Sequence, residues 1–366
     1  MVNQLILSNL VTRPVRTVLS VMAVAIEVVL IILVVGLTHG MLQDSARRTE
    51  GVGAEIMVQP QTTSLFLGFS GSPMPVQIGD RLAEVRDVKA VAPVMVQASS
   101  EGGITLIYGI DPPTFDAVTG GFRYLQGRGL QSPGDVLVDD IYAESRGLRV
   151  GQTIDLLNQE FRIAGIVEHG KGARIFLRLD RLQDLMGSVG KTSLFFVKLT
   201  RQDRVGAALE QMRELLPNYQ LRDMQEYVSM MVAGNIPGLS NFITVIIALA
   251  VAIGLLVIFV TMYSSMVERT REIGILKAMG ASRAYIFRLV LRETAFLTVF
   301  GIAGGIGLSY GVRALVGVIF PTLPILITPD WMLRAGLIAL VASLCGASYP
   351  ALRASRRDAI EALSYE

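Results

Sequence analysis

Four stretches of this chain are long and apolar enough to cross a lipid bilayer, and that leaves few options for the rest of it. A helix needs about 20 apolar residues to span the hydrocarbon core, because where water is absent every backbone N–H and C=O must be paired within the segment. The stretches run from Thr17 to Leu37, Phe242 to Tyr263, Thr294 to Val318 and Trp331 to Tyr349. Arg13 and Arg16 precede the first, as in a signal peptide. Its apolar run exceeds a signal's hydrophobic region, however, and no A-x-A cleavage pattern follows, so it reads as a retained anchor. With 51% hydrophobic and 17% charged residues and a mean hydropathy of +0.51, the chain is too apolar for a soluble globule of its size.

Lys and Arg in the short flanking segments set the direction of crossing. Arg13 and Arg16 stand before the first span; Arg269, Arg271, Lys277, Arg283, Arg288 and Arg292 lie between the second and third; Arg353, Arg356 and Arg357 follow the fourth, whereas Ile319 to Asp330 carries none. Both termini and the middle connection are therefore expected on the cytoplasmic side. This divides the chain into residues 1–40 (cytoplasmic segment and first span), 41–235 (a large domain on the other side) and 236–366 (the remaining spans, their connection and a tail).

The long insertion reads as a mixed α+β domain. Strands are expected at Ala54–Val58, Val91–Val96, Ile104–Ile110, Asp135–Val138, Thr153–Leu157, Phe161–Val167, Arg174–Leu177 and Leu194–Leu199, with helices at Asp80–Val88, Asp140–Arg146, Leu179–Met186 and Arg204–Leu215. Their order suggests two subdomains, an outer one of about 113–190 inserted into a membrane-proximal one. Leu65, Phe66, Leu67 and Phe69 form an apolar run among loop-forming Gly, Ser and Pro. Such a run needs cover: either it tucks into the core or against a neighbouring protomer, or it contacts a lipidic cargo or an external partner.

Several chemistries are excluded. Lys plus Arg (33) nearly balance Asp plus Glu (31), so no global basic field exists to hold nucleic acid. One cysteine, Cys345, and two histidines, His39 and His169, supply neither a disulfide within the chain nor a Cys/His metal site. Gly187 to Ser193 (GSVGKTS) matches only the end of a phosphate loop, since position 185 is Leu, and Gly68-Phe69-Ser70-Gly71 fails the GxSxG spacing of a nucleophile elbow. No catalytic residues are assigned.

Within the spans, Glu27 sits mid-membrane, where an ionisable group must face protein or water. It reads either as a bundle-facing carboxyl or as a cargo or proton site. Gly301 and Gly305, and Gly307 and Gly311, have the small-xxx-small spacing that lets helices approach closely, within the subunit or at a dimer seam.

The connection Met266 to Arg292 (MVERTREIGILKAMGASRAYIFRLVLR) is the most informative segment. It holds a charged helix start, an apolar stripe at Ile273, Leu276 and Met279, a helix stop at Gly280 and a cap at Ser282 for a new helix. This predicts a short amphipathic helix with Ile273 and Leu276 free to dock into a groove and neighbouring Arg and Glu fixing the register. The alternative is an interfacial helix that merely anchors the loop.

With ERTREIGILKAMGAS in that connection, LSNLVTRPVRTVLSVMAVA at Leu7 to Ala25 and YPALRASRRDAIEAL at Tyr349 to Leu363, the chain resembles the permease subunits of the FtsX-like, MacB-type (type VII) ABC transporters. GDVLVDDIYAESRGLRVGQTIDL followed by FRIAGIV resembles that family's periplasmic core domain. The resemblance implies a bacterial inner-membrane protein whose Glu268, Arg269, Arg271, Glu272, Ile273, Leu276, Lys277 and Gly280 face a cytoplasmic ATPase dimer. That partner would bind the ATP and Mg, with no cofactor in this chain. Only residues 1 to 16 precede the first span, so the ATPase is expected on a separate polypeptide. Further partners implied are a second permease subunit, identical or not, and possible assembly with a periplasmic membrane-fusion adaptor and an outer-membrane channel. Two functions follow from the resemblance. One is mechanotransmission, in which ATP-driven motion reaches the outer domain to export or extract a lipid, lipoprotein, peptide or drug-like substrate. The other is a signal relay controlling a periplasmic partner such as a cell-wall hydrolase.

Overall fold

The computed structural model describes residues 14–61, 72–99, 105–232 and 239–356. Leu65, Phe66, Leu67 and Phe69 lie outside the described residues. The chain forms two compact units, one of residues 1–39, 238–318 and 325–366, the other of residues 40–237 with 319–324.

The first unit is a bundle of the four spanning helices, Pro14–Glu50, Leu239–Glu268, Arg283–Ile319 and Pro329–Arg356. Each contains its expected apolar stretch and outruns it, because the flanking residues are also good helix formers. The first helix continues past Leu37 to Glu50, with Asp44 and Arg48 paired at i,i+4 (3.3 Å). Its core joins Val24, Val28, Ile31 and Ile32 to Ala250, Ile258 and Met262, Leu297, and Ala335, Ala339 and Ala347. Large apolar side chains such as Phe242, Leu256, Phe300, Leu315 and Val341 point outward, as a lipid-facing surface requires.

Gly301 and Gly305 let the third helix close on the first. A Cβ on Gly301 would lie 2.6 Å from Val24 Cβ, and one on Gly305 would lie 2.8 Å from both Ala25 O and Val28 Cβ. Gly307 and Gly311 have the same spacing but open space around them, so they make no close approach among the described residues. The reason is helical phase: two residues beyond Gly305 the helix has turned by about 200°, and Ser309, not Gly307, continues the buried face.

The second unit is built on strands β1 (Ile56–Pro60), β2 (Met74–Pro75), β3 (Val88–Ser99), β4 (Thr105–Ile110), β5 (Tyr124–Gly127), β6 (Asp135–Asp139), β7 (Thr153–Leu156), β8 (Gln159–Val167), β9 (Ile175–Arg178), β10 (Lys191–Thr192), β11 (Leu194–Leu199) and β12 (Tyr219–Asp223). Ten of them form one sheet in the order β12-β1-β11-β3-β4-β9-β6-β8-β5, with β7 beside β8; β2 and β10 pair separately. The β4–β9 and β6–β8 pairings are parallel and the others antiparallel. Both faces of the central strands are covered, so β11 opens on an apolar run (LFFV) with no polar alternation, broken only at Lys198, which pairs with Glu55. Phe196 joins Tyr108, Phe115 and Phe176 on one face, while Phe195 joins Ile56, Val85 and Met212 on the other.

Two local outcomes differ from the sequence reading. The helix expected over Asp80–Val88 is shorter (Ile78–Ala83), because Asp87 turns into the left-handed region (φ 69°) and Val88 already opens β3. A helix also forms at Pro112–Thr119, where the Asp111 side chain accepts from Thr114 N and proline occupies the first turn.

The prolongation of the first helix is anchored inside this unit. Arg174, with its side chain 6% exposed, donates to Asp139 Oδ2 and to Asp44 Oδ2, each at 3.0 Å. Asp139 also accepts from Tyr142 N (2.7 Å), capping the helix Asp140–Arg146. Burial pushes the Asp139 carboxyl above its ordinary pKa, and the Arg174 guanidinium opposes that shift.

Candidate functional site

The second spanning helix ends at Glu268, and a separate helix, Thr270–Ala278, connects it to the third. Arg269 breaks the two apart with a non-helical backbone (φ −101°, ψ 17°). Thr270 donates its hydroxyl back to Val267 O (2.8 Å). At the other end the chain turns at Gly280, whose φ of 94° a side chain would oppose. Gly280 N and Ala281 N satisfy the last carbonyls, at Lys277 O (2.9 Å) and Leu276 O (3.0 Å). Ser282 then caps the third span, its Oγ accepting from Tyr285 N (3.2 Å).

The connecting helix has two faces. Thr270, Ile273 and Gly274 are buried, and Ile273 packs with Met266, Ile286, Val290, Ala351 and Ala354 from three spanning helices. Ile273, expected from the sequence to be free for docking, is therefore consumed by the bundle: a nine-residue helix has one apolar stripe, and the chain's own spans cover it. Leu276 and Lys277 are half-buried. The outward face carries Glu268, Arg271, Glu272, Ile275, Ala278 and Met279. Two of these are large apolar groups, Ile275 at 44% and Met279 at 72% exposure.

Arg269 also points inward. Its side chain is 11% exposed; Nε donates to Glu272 Oε2 (2.8 Å) and Nη1 to Glu293 Oε2 (2.9 Å) on the third span, whose side chain is 2% exposed. Burial alone would lower the Arg269 pKa, but Glu293 and Glu272 outweigh it and the net direction is upward. Beside this pair, Tyr263, Thr270, Ile273, Pro350 and Arg353 line a shallow pocket, with the Arg353 guanidinium 5.4 Å from the Tyr263 ring centre. Sequence reasoning passed over Glu293, which stands one residue before the stretch starting at Thr294, and over Ile275, which breaks the apolar stripe. The available signals were a carboxylate at the foot of a span and an isoleucine out of phase with its neighbours.

Glu27 lies elsewhere, 3% exposed within the bundle. Neither carboxylate oxygen has a hydrogen-bond partner among the described residues, and they press on the bare face of Gly254 on the second span.

Residues 17–215 match the family described as the MacB-like periplasmic core domain, and residues 244–359 match the FtsX-like permease C-terminal family. Among relatives, the ABC transporter permease YknZ of Bacillus subtilis (strain 168) is 36% identical over 157 residues, which are 41% of this chain and 37% of that one. The macrolide export ATP-binding/permease protein MacB of Sodalis glossinidius (strain morsitans) is 25% identical over 96% of this chain and 58% of its own length. The chain thus spans less than two thirds of either relative. Among solved structures, the periplasmic region of MacB from Actinobacillus actinomycetemcomitans covers 50% of this chain and 94% of its own, at 14% identity and a TM-score of 0.38.

Proposed function

The chain belongs to the FtsX-like permeases that carry a MacB-like periplasmic core domain, and from that premise we propose that it is the permease subunit of an ABC transporter. In this reading it carries ATP-driven motion from a separate ATPase to its large domain, where a lipid, lipoprotein, peptide or drug-like substrate is moved. The observation that carries the reading is the connecting helix. Its inner face is locked to three spans, while Arg271, Glu272, Ile275 and Met279 stand outward. Apolar knobs ringed by charge suit a groove on a partner protein.

Placement supports it. The connection carries Arg269, Arg271, Lys277, Arg283, Arg288 and Arg292, whereas Ile319 to Asp330 carries no Lys or Arg, so the helix faces the cytoplasm, where ATPases reside. The first spanning helix runs unbroken to Glu50, and its last turns join the Asp44–Arg174–Asp139 cluster within the large domain. Gly307 and Gly311, which meet nothing among the described residues, suit close packing by a second permease subunit.

Co-purification with the cognate ATPase tests the docking face. The double variant Arg271→Glu with Met279→Asp should lose ATPase association and permease-stimulated ATP turnover while the permease still folds. Unaltered association and turnover would overturn the assignment.

A further inference from the structure

A guanidinium at a helix break ordinarily snorkels to water. Arg269 instead turns inward, and its planar fork divides between two carboxylates: the Nε edge bonds Glu272 of the connecting helix and Nη1 bonds Glu293 of the third span. Its backbone joins the same elements, since Arg269 N donates to Ser265 O (3.1 Å) at the end of the second span and Arg269 O accepts from Ile273 N (3.0 Å) in the connecting helix. One residue thus ties three elements together at the point where the chain changes direction.

Apolar packing by Met266, Ile273, Ile286 and Val290 would hold the connecting helix without this pair. A buried ion pair adds little stability over apolar side chains of the same volume, because both charges must be stripped of water. What it adds is direction. Apolar contacts tolerate sliding and rotation, whereas a forked guanidinium held at 2.8 and 2.9 Å fixes the angle between the elements it bridges.

We propose that Arg269 and Glu293 form a positioning joint that makes the connecting helix and the third span move as one body, so that displacement of the docking face is converted into displacement of the span. This rests on the reading of the connecting helix as the ATPase-facing element. It also separates two roles that adjoin in the sequence: Arg271, Ile275 and Met279 meet the partner, and Arg269 passes the motion on.

The test uses the full permease–ATPase complex in lipid nanodiscs, on a Cys345→Ser background. Spin labels at Val245→Cys and Val318→Cys, both exposed, report the distance between the second and third spans. Trapping with ATP and vanadate should shift that distance in the otherwise unaltered protein. The double variant Arg269→Met with Glu293→Leu replaces the pair by apolar groups, and it should keep its melting temperature and its association with the ATPase yet lose the shift. Arg269→Lys keeps the charge but not the fork, and it should lose most of the shift as well. A shift of normal size in the apolar double variant overturns the joint. A complex that fails to form even without these substitutions overturns the docking reading itself, and the joint with it.

Discussion

In the large domain the fully buried side chains are big: Phe115, Phe161, Phe176, Phe195 and Phe196 are each at most 1% exposed. In the bundle no aromatic ring is among the fully buried side chains of the described residues: Val24, Val28, Ile31 and Ile32 pack with the small Ala335, Ala339 and Ala347, Gly301 and Gly305 let helices approach closely, and Phe242 and Phe300 face outward. The difference follows from the solvent. Water drives apolar area into the domain's core, so large side chains contribute most there. Lipid gives no such drive, so helices associate by close approach and favour residues that get out of the way. The domain should therefore fail when a side chain is taken away, and the bundle when one is added.

The largest effect is expected from Phe176→Ala. This ring meets Phe122 at 4.8 Å and Tyr108 and Phe115 at 6.2 Å between centroids, on the central strand β9. Its loss should cost about 3–5 kcal/mol, read as a fall in amide-exchange protection across β4, β6 and β9 of the intact protein. Protection that stays unchanged would break the comparison at its strongest point.

Arg174→Ala comes next and carries the contrast into polar groups. It strips the shared partner from Asp139 and Asp44, and removing one member of a buried pair costs about 3–5 kcal/mol. Some of that loss is recovered here because Asp44 keeps Arg48 as a partner. Exchange should rise at the end of the first helix and in Asp140–Arg146, and stay unchanged in the connecting helix.

Gly305→Leu is the reciprocal change in the bundle. Even its Cβ would stand 2.8 Å from the Ala25 carbonyl, so the first and third helices must part; overpacking costs about 1–3 kcal/mol. Gly307→Leu, two residues on with open space around it, should leave the thermal stability of the single chain unaltered. Equal losses in both would mean that phase does not decide the contact.

The same contrast explains what the sequence made legible. The spans were visible because twenty apolar residues have few other uses, and β11 and the helix Asp140–Arg146 because apolar runs and a cap-to-glycine frame mark them locally. β5 and β12 were not: every residue of Tyr124–Gly127 is exposed, so no buried face marks it, and β12 has only two apolar positions, Tyr219 and Leu221, half-buried against the core, a pattern too short to stand out before β1 offers its edge. At the candidate site, the element and its stop at Gly280 were legible, but its orientation was not. Whether Ile273 or Ile275 faces the bundle depends on where the second span ends. That point is fixed by Arg269 reaching Glu293, 24 residues away.

Apart from the Gly307→Leu control, the smallest effect is expected from Glu27→Gln, and it sharpens the comparison most. Asp139 and Glu27 are both buried carboxylates, at 1% and 3% exposure. Asp139 has an arginine and a backbone N–H, whereas the oxygens of Glu27 have no hydrogen-bond partner among the described residues. Space for Glu27 comes from the absent side chain of Gly254 rather than from a polar partner. Glutamine has the same shape and carries no charge, so it forfeits no bond and should shift bundle stability by less than about 1 kcal/mol, the scale of a single intramembrane hydrogen bond. Trp331, the chain's single tryptophan, lies in the fourth spanning helix and gives a fluorescence signal for that melt. A large destabilisation would mean that Glu27 is held by a partner as Asp139 is, and the two regions would then bury carboxylates by the same rule. A null result leaves Glu27 a carboxyl tolerated through a glycine on the facing helix, the same small-residue device that brings the first and third helices together.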